Sequence, residues 1–264
     1  MKYIYFILIT LFISFQGLSQ SSVVWLSYHK PMKGKGSELF DAIKDKTQKY
    51  NQGQNDSKLY TFSVMAGPRQ GEFLRVGMGP TWKDFDNWSP DSKEMDYWRD
   101  NVAPLIESSS GREYFERVDD ASYDMSKPGE NSVGLMIHYN IGGNPNHFWK
   151  VRRNAVKAIK ESGESVTLNV WRSAGGGPQN HIIVAFSYKN MEEYGNAQKV
   201  WDKVGAKYDE IYGAGSWNTD WGLLRGSLEM WGAQTEITRF LPELSSPPMA
   251  VSYTHLTLPT TPYV

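Results

Sequence analysis

The chain has no cysteine among its 264 residues. It therefore has no disulfide, no thiolate-bound zinc, no iron–sulfur cluster and no thiol nucleophile, and its fold must be held together by an apolar core. The formal net charge of −1 leaves no basic surplus for neutralising phosphates or docking on anionic membranes. No HExxH, P-loop or GxSxG motif is present. We therefore predict no metal site, no cofactor and no nucleic-acid partner, and no catalytic residues can be assigned.

Long apolar runs are also absent, except at the N-terminus. Lys2 precedes an apolar or hydroxylated run over residues 3–15, and Gly17 and Ser19 offer the small residues that a signal peptidase reads. The run is too short to cross a bilayer comfortably. It predicts a signal peptide over residues 1–19, export to the periplasm or the exterior, and no membrane contact after cleavage.

The last residues differ from the rest in character. The string VSYTHLTLPT at 251–260 matches one reading frame of a common transposon-type sequencing adapter. We therefore interpret residues 250–264 as an adapter-derived tail and exclude them, with His255, from the arguments about fold and site. The native part is expected to end near Met249.

The first half predicts a strand, a helix, a β-hairpin, two short helical segments and a closing strand. Residues 23–29 show the alternation of apolar and polar side chains that is typical of a strand. Residues 37–50 have apolar side chains at helical spacing, and Ser37 is a suitable N-cap for this helix. A turn rich in glycine joins the hairpin strands. The remaining predicted segments are strands at 59–66 and 72–78, helical pieces at 81–88 and about 93–107, and a strand at 111–123.

The second half predicts the same order of elements. Its first helix, 144–162, has Asn144 as its N-cap and Pro145 in the first turn, where proline is tolerated. A second helix covers 190–212 and stops at Gly213. The predicted strands of this half are 132–140, 166–173, 181–188 and 227–240.

Both halves therefore read β-α-β-β-α-β, which is the ferredoxin-like order. We expect an α+β fold made of two tandem units at 20–126 and 132–249, joined by a Gly-containing polar linker at 127–131. The two units are predicted to pair their antiparallel sheets into a barrel.

This arrangement resembles the dimeric α/β-barrel superfamily, which includes antibiotic-biosynthesis monooxygenases, stress-responsive A/B-barrel proteins and NIPSNAP-like proteins. The resemblance covers about residues 22–244 and rests on the order of elements. It implies a barrel closed within one chain, as a monomer, or between chains, as a homodimer. Members range from cofactor-free oxygenases through haem-binding enzymes to proteins with no known reaction, so the fold does not select a function.

Two histidines are the first candidates for a site. His29 and His138 lie near the ends of corresponding first strands, where an imidazole could act as a base or bind a ligand. A half-exposed rim position is the plainer interpretation. His181 is expected at the opposite edge of the sheet from His138, on the premise that the first and third strands run parallel.

Four further residues are candidates for ligand binding. Arg75 and Arg172 interrupt apolar strands, so each should face solvent, an internal carboxylate or, less simply, a ligand carboxylate. Trp25 and Trp171 lie on strands, opposite their aliphatic neighbours. A site, if present, is expected in one half only, and the second half is favoured.

Three functions remain open from the sequence. The first is an exported protein that binds a small apolar or aromatic ligand in a barrel pocket. The second is a cofactor-independent or haem-dependent oxygenase that uses His29 or His138. The third is a carbohydrate- or partner-binding module that presents surface tryptophans, since the chain has 10 tryptophans and 15 tyrosines.

Overall fold

A computed structural model describes residues 22–53, 58–79, 81–86, 91–124 and 130–247. The predicted signal peptide and adapter-derived tail lie outside the described residues, as does most of the predicted linker. Within the described ranges, no helix is both long and apolar enough to span a bilayer.

The described ranges contain nine strands, and all their pairings are antiparallel. Eight of them close into a ring in the order β1-β3-β2-β9-β6-β8-β7-β5, because β5 pairs back to β1. The short β4 extends the free edge of β1 beyond β5. The strands are β1 (Val23–Pro31), β2 (Lys58–Ala66), β3 (Phe73–Gly79), β4 (Ile106–Ser109), β5 (Glu113–Arg117), β6 (Val133–Ile141), β7 (Thr167–Gly175), β8 (His181–Tyr188) and β9 (Leu228–Phe240).

The ring is a closed antiparallel barrel to which each half of the chain gives four neighbouring strands. The first half contributes the run β2-β3-β1-β5 and the second contributes β7-β8-β6-β9. The two runs meet where β5 pairs with β7 and where β9 pairs with β2. The barrel therefore closes within one chain.

Six α-helices lie in the described part of the chain. The longest ones pack on the outer face of the barrel, and α4 begins with the predicted Asn144 cap, whose side chain accepts from the Asn146 amide. Helix α5 ends at Gly213 with φ 105°, as the sequence predicts. The helices are α1 (Gly36–Tyr50), α2 (Trp82–Asp86), α3 (Ser92–Tyr97), α4 (Pro145–Ser162), α5 (Met191–Tyr212) and α6 (Ser216–Gly226).

Several predicted boundaries are wrong in detail. Helix α1 begins one residue before Ser37, with Lys35 at its N-cap position. The predicted helix at about 93–107 is α3 followed by a π-helical and a 3-10 turn, and Pro104 in that turn removes a backbone donor. The predicted strand at 111–123 stops at Arg117. Helix α6 was not predicted.

The described residues form three apolar clusters. One lies inside the barrel and contains Val24, Leu26, Phe115, Met136 and Ile183. The other two lie between the barrel and its helices, one in each half. The second-half cluster is the larger and is densely filled by aromatic side chains from α4, α5 and α6. The first-half cluster is smaller, and a cavity lies next to it.

Candidate functional site

Strand β1 presents its two faces to different environments. Because side chains alternate along a strand, Val24, Leu26 and Tyr28 point into the barrel while Trp25 and His29 point outward, beneath the helices. The Trp25 indole lies across Gly77 of β3, where an added Cβ would come within 2.2 Å of the indole nitrogen. Gly77 therefore makes room for Trp25 to lie flat on the sheet.

An outer cavity of about 480 Å³ opens on this face, which is within the size range of small-molecule sites. Strands β1 and β3 form its floor, and α1, α3 and the π-helical turn form its walls. Its lining residues are Trp25, Ser27, His29, Lys46, Leu59, Arg75, Glu94, Met95, Trp98, Gly111 and Arg112. The name "outer cavity" refers to this set. Trp25, His29 and Arg75 are three of the six sequence-based candidates.

Arg75 lies at the bottom of the outer cavity and is only 1% exposed. Its Nη2 donates to Thr47 Oγ1 at 3.2 Å, whereas Nη1 is buried with no hydrogen-bond partner among the described residues. Its guanidinium lies 5.4 Å from the Trp98 ring. Burial lowers the pKa of Arg75 to about 10, so the side chain stays cationic at neutral pH. A buried cation with an unused N–H group is costly unless an acceptor reaches it.

Two more cations and one carboxylate share the outer cavity. Lys46 donates to Asn51 Oδ1 at 2.8 Å and to Glu94, and burial lowers its pKa to about 8. Arg112 lies 4.5 Å over the ring of Trp25. The lining therefore holds three basic groups against one acid, which gives it a positive potential.

His29 lines the outer cavity together with these charged groups. Its Nδ1 is 2.7 Å from Ser109 Oγ, and its ring lies 5.4 Å from that of Trp98. Burial and the charges of Arg75 and Arg112 lower its pKa to about 3. The imidazole is therefore neutral across the physiological range and is able to accept a hydrogen bond or bind a ligand.

A second polar group lies inside the barrel near one end. This barrel-end cluster joins residues from five strands and the β2–β3 turn, and hydrogen bonds cross the interior from β1 to β9. Its members are Tyr28, Arg69, Glu113, His138, His181 and Glu236.

The two histidines of the barrel-end cluster are in direct contact. His138 Nδ1 is 3.0 Å from His181 Nε2, and His181 Nδ1 is 3.2 Å from Glu113 Oε2. The prediction that they lie at opposite edges is wrong because the third strand of each half runs antiparallel to the first. A β-α-β crossover keeps direction and the hairpin then reverses it, so the end of β6 lies beside the start of β8.

Glu236 anchors the other end of the cluster and is fully buried. It accepts from Arg69 Nε at 2.7 Å and from Tyr28 OH at 2.9 Å. Burial alone would raise its pKa, but the hydrogen bonds and charges of His138 and Arg69 hold it at about 2. Burial is the largest influence on His138 and lowers its pKa. The cluster thus holds the ionised carboxylates of Glu236 and Glu113, the cation Arg69 and two imidazoles in contact with each other.

Replacement of Glu236 by glutamine should lower the free energy of unfolding by about 3 kcal/mol, because it removes the charge that Arg69 meets inside the barrel. Urea unfolding at pH 7 measures this. Glu107→Gln is the matched control, since the Lys30–Glu107 pair is about half exposed and should cost no more than about 1 kcal/mol. Equal losses in the two variants would contradict a supporting role for the cluster.

The remaining candidates lie apart from the outer cavity. His138 points into the barrel and His29 points out of it, so the two are not equivalent positions. Trp171 packs against the barrel interior. Arg172 is exposed and donates through two nitrogens to Glu116, an internal carboxylate partner.

Sequence reasoning missed most partners in both groups. Nothing in the local pattern marks Lys46 on α1 or Trp98 on the π-helical turn as cavity residues, since only the closure of the fold brings them to β1 and β3. The cavity also lies outside the barrel and in the first half of the chain, whereas the sequence favours a site in the second half. Within the described ranges, no three acidic or histidine side chains are placed to hold one metal ion.

No protein-family model matches the chain, and no curated protein matches its sequence. Solved structures match its fold. A "putative monooxygenase" from Lactobacillus acidophilus aligns with a TM-score of 0.54 and 9% identity, over 84% of this chain and 94% of its own. A second "putative monooxygenase", from Fusobacterium nucleatum, aligns with a TM-score of 0.53 and 14% identity, over 84% of this chain and 93% of its own.

A chlorite dismutase from Candidatus Nitrospira defluvii also aligns, with a TM-score of 0.51 and 8% identity over 85% of this chain and 94% of its own. At such identities the similarity concerns the fold alone. The closed α/β barrel is therefore shared with enzymes, and the chemistry of this chain has to be argued from its own residues.

Proposed function

We propose that the protein binds a small organic anion with an aromatic body in the outer cavity. The observation that carries this proposal is Arg75, a nearly fully buried guanidinium whose Nη1 has no acceptor among the described residues. A ligand carboxylate would accept from it through a charge-assisted hydrogen bond, which is stronger than a neutral one. The outer cavity gives that carboxylate a place to lie.

The charges of the lining support an anion over a neutral ligand. Glu94 is already engaged by Lys46 and by the Asn51 amide, at 3.1 Å for the latter. Its charge acts on both Lys46 and Arg75, and it leaves the Nη1 donor of Arg75 unused. An incoming monoanion would reduce the repulsion among the three cations and remove the penalty of the unused donor.

The aromatic part of the ligand is argued from the tryptophans. Trp25 lies on the cavity floor and Trp98 on its wall, and both rings lie beside the cations. Such rings stack on flat apolar groups with a preference for offset or edge contacts. The apolar share of the lining would thus hold a ring, while Arg75 holds the charged end.

Ligand-dependent thermal stability tests this proposal. We expect benzoate and phenylacetate to raise the Tm of the protein, while benzamide and phenylacetamide at equal ionic strength do not, since ligands that bind the folded state stabilise it by mass action. Arg225→Met, which removes an exposed arginine of α6, should keep the response. Equal shifts with acids and amides, or none with either, would refute the anion site.

An oxygenase is the second candidate, and His29 favours it. The neutral His29 imidazole lies beside a ligand-sized cavity, where it could accept a hydrogen bond from a bound phenol or enol in a cofactor-independent reaction. For a haem-dependent one, His29 would be the iron ligand, Ser109 would orient its ring, and Arg75 and Arg112 would meet the haem carboxylates. Haem would supply oxygen chemistry. A Soret band on titration with haemin, lost in His29→Ala, would support the haem version.

We also infer that the two halves are repeats of one ferredoxin-like unit. The strand order is the same in both, and an offset of 110 residues brings β1 onto β6 and Tyr28 onto His138. The unit boundaries at 20–126 and 132–249, the signal peptide and export remain part of this proposal. In the second half, aromatic side chains fill the space beneath α4 and α5.

A further inference from the structure

A groove runs over the outer surface where β5 of the first half pairs with β7 of the second. It encloses about 1050 Å³ and is open to solvent. This seam groove is lined by one tryptophan from each half, Trp82 of α2 and Trp149 of α4, and by polar and aliphatic side chains. Its polar lining residues are Glu116, Arg117, Asp119, Asp120, Arg153, Arg172, Ser173, Gln179 and Asn180. We propose that the seam groove binds a neutral carbohydrate.

Trp82 is held as a fixed aromatic surface. Trp82 is 40% exposed, and its Nε1 donates to Glu116 Oε1 at 2.7 Å. Tyr114 packs against it at 5.8 Å between ring centroids. Since the edge of the indole is tied down and part of its surface stays exposed, the ring is ready to pack on the apolar C–H face of a sugar without further ordering.

Trp149 gives the groove a second ring from the other half. Its edge meets Phe148 at 5.2 Å and an interplanar angle of 86°, and the guanidinium of Arg153 lies 5.7 Å from its centroid. Phe148 is fully buried, so it fixes Trp149 to the core of α4. Two rigid rings in one groove suit a ligand made of repeated flat units, such as an oligosaccharide.

The charges of the seam groove are balanced, unlike those of the outer cavity. Arg172 pairs with Glu116 at 2.7 Å, and Arg153 pairs with Asp120 at 2.6 Å. Arg117 pairs with Asp119 at 2.5 Å. Each cation thus has its own carboxylate, so the groove has no net attraction for a charged ligand.

Such pairs present donors and acceptors side by side, and they suit a ligand whose neighbouring hydroxyls both donate and accept. The side-chain amides of Gln179 and Asn180, which both donate and accept hydrogen bonds, also line the groove. Nine of the seventeen lining residues are polar or charged, so a nonpolar peptide would bury many of them without hydrogen-bond partners. The balance of rings, amides and paired charges therefore favours a neutral sugar over an ionic or apolar partner.

Affinity electrophoresis and calorimetry with neutral hexasaccharides test the proposal. The probes are the cello-, xylo-, malto- and chito-series of hexasaccharides. We expect at least one to bind, and Trp82→Ala and Trp149→Ala each to weaken it at least about 10-fold. Trp82→Phe, which keeps a ring but loses the bond to Glu116, should retain part of the affinity. Met230→Ala, at an 87% exposed position outside the groove, is the control and should bind as the parent does.

Salt dependence separates a neutral ligand from a charged one. Binding should be unchanged from about 0.05 to about 0.5 M sodium chloride, because no net charge is neutralised. The proposal is overturned if no hexasaccharide binds, if both alanine variants bind as the parent does while keeping its circular dichroism spectrum, or if binding falls steeply with salt. Binding of a pool of tryptic peptides in place of the sugars would overturn it as well. None of these outcomes depends on benzoate binding in the outer cavity.

Discussion

Arg75→Met should weaken benzoate binding by at least about 30-fold and at the same time make the protein more stable. The loss of affinity follows because a buried charge pair with the ligand is worth 2 kcal/mol or more, and about 1.4 kcal/mol is a factor of ten. The gain in stability follows because the unliganded protein holds a buried guanidinium with an unused donor, while Glu94, the carboxylate of the lining, is already bonded to Lys46. Replacing such a group by a side chain of similar volume is expected to gain about 1 to 4 kcal/mol.

Calorimetric titration and urea unfolding measure these two effects on the same variant. Arg75→Lys is the matched comparison: it keeps the charge but loses the planar donor pair, so it should lose affinity without gaining the full stability. Because Arg75 helps to lower the pKa of His29, Arg75→Met should also raise that pKa in an NMR titration. A variant that binds benzoate normally, or that loses stability, would show Arg75 to be structural.

Lowering the pH from 7 to 5 should destabilise the protein by about 2 to 4 kcal/mol. His29 has a folded pKa of about 3 against about 6.5 in the unfolded chain. Between these values the unfolded chain binds more protons, so the stability present above pH 6.5 falls by about 1.4 kcal/mol per pH unit below it. His138, whose pKa is also lowered, acts in the same direction. Glu236 adds a loss between about pH 4.5 and 2.

His29→Gln separates the contribution of the outer cavity from that of the barrel-end cluster. The variant cannot titrate at this position, so it should lose about 2 kcal/mol of the pH dependence between pH 7 and 5. Urea unfolding at the two pH values gives the comparison. The assignment fails if the parent is equally stable at both, or if parent and His29→Gln change by the same amount.

The order of elements could be predicted because alternation and helical periodicity are local. Strand β1 and helices α4 and α5 follow from their patterns, and Asn144 and Gly213 mark ends correctly. The segment after α3 could not be predicted in this way, since a π-helical turn, a 3-10 turn and β4 replace the single helix that its apolar spacing suggests. Helix α6 was missed because its stability comes from packing of residues such as Leu224 against α4 and α5.

The site could be predicted only in part, because residue type and strand parity are visible in the sequence but pairing is not. Residue type alone makes Trp25, His29 and Arg75 separate candidates, and the register of β1 against β3 places them on one face of the sheet. The alternation of side chains also places Tyr28 and His29 on opposite faces of β1. The sequence does not show which of these faces lies inside the barrel. His138 and His181 were placed apart because of an error in strand direction, and the antiparallel pairing of β6 with β8 corrects it.

We propose different ligands for two features of the molecule. The outer cavity is buried, cationic and aromatic, whereas the seam groove is open and balanced in charge. The barrel-end cluster lies between the two halves and satisfies its own charges, so stability is the role that its contacts support. We therefore expect a ligand in the outer cavity to change the free energy of unfolding more than a ligand in the seam groove.

The most direct test is a crystal of the protein grown with 4-bromobenzoate and measured at the bromine absorption edge. The account predicts an anomalous peak inside the outer cavity, with the carboxylate within hydrogen-bond distance of Arg75 Nη1 and the ring against Trp25 or Trp98. A fully occupied peak elsewhere with an empty outer cavity, or a carboxylate turned away from Arg75, would contradict it.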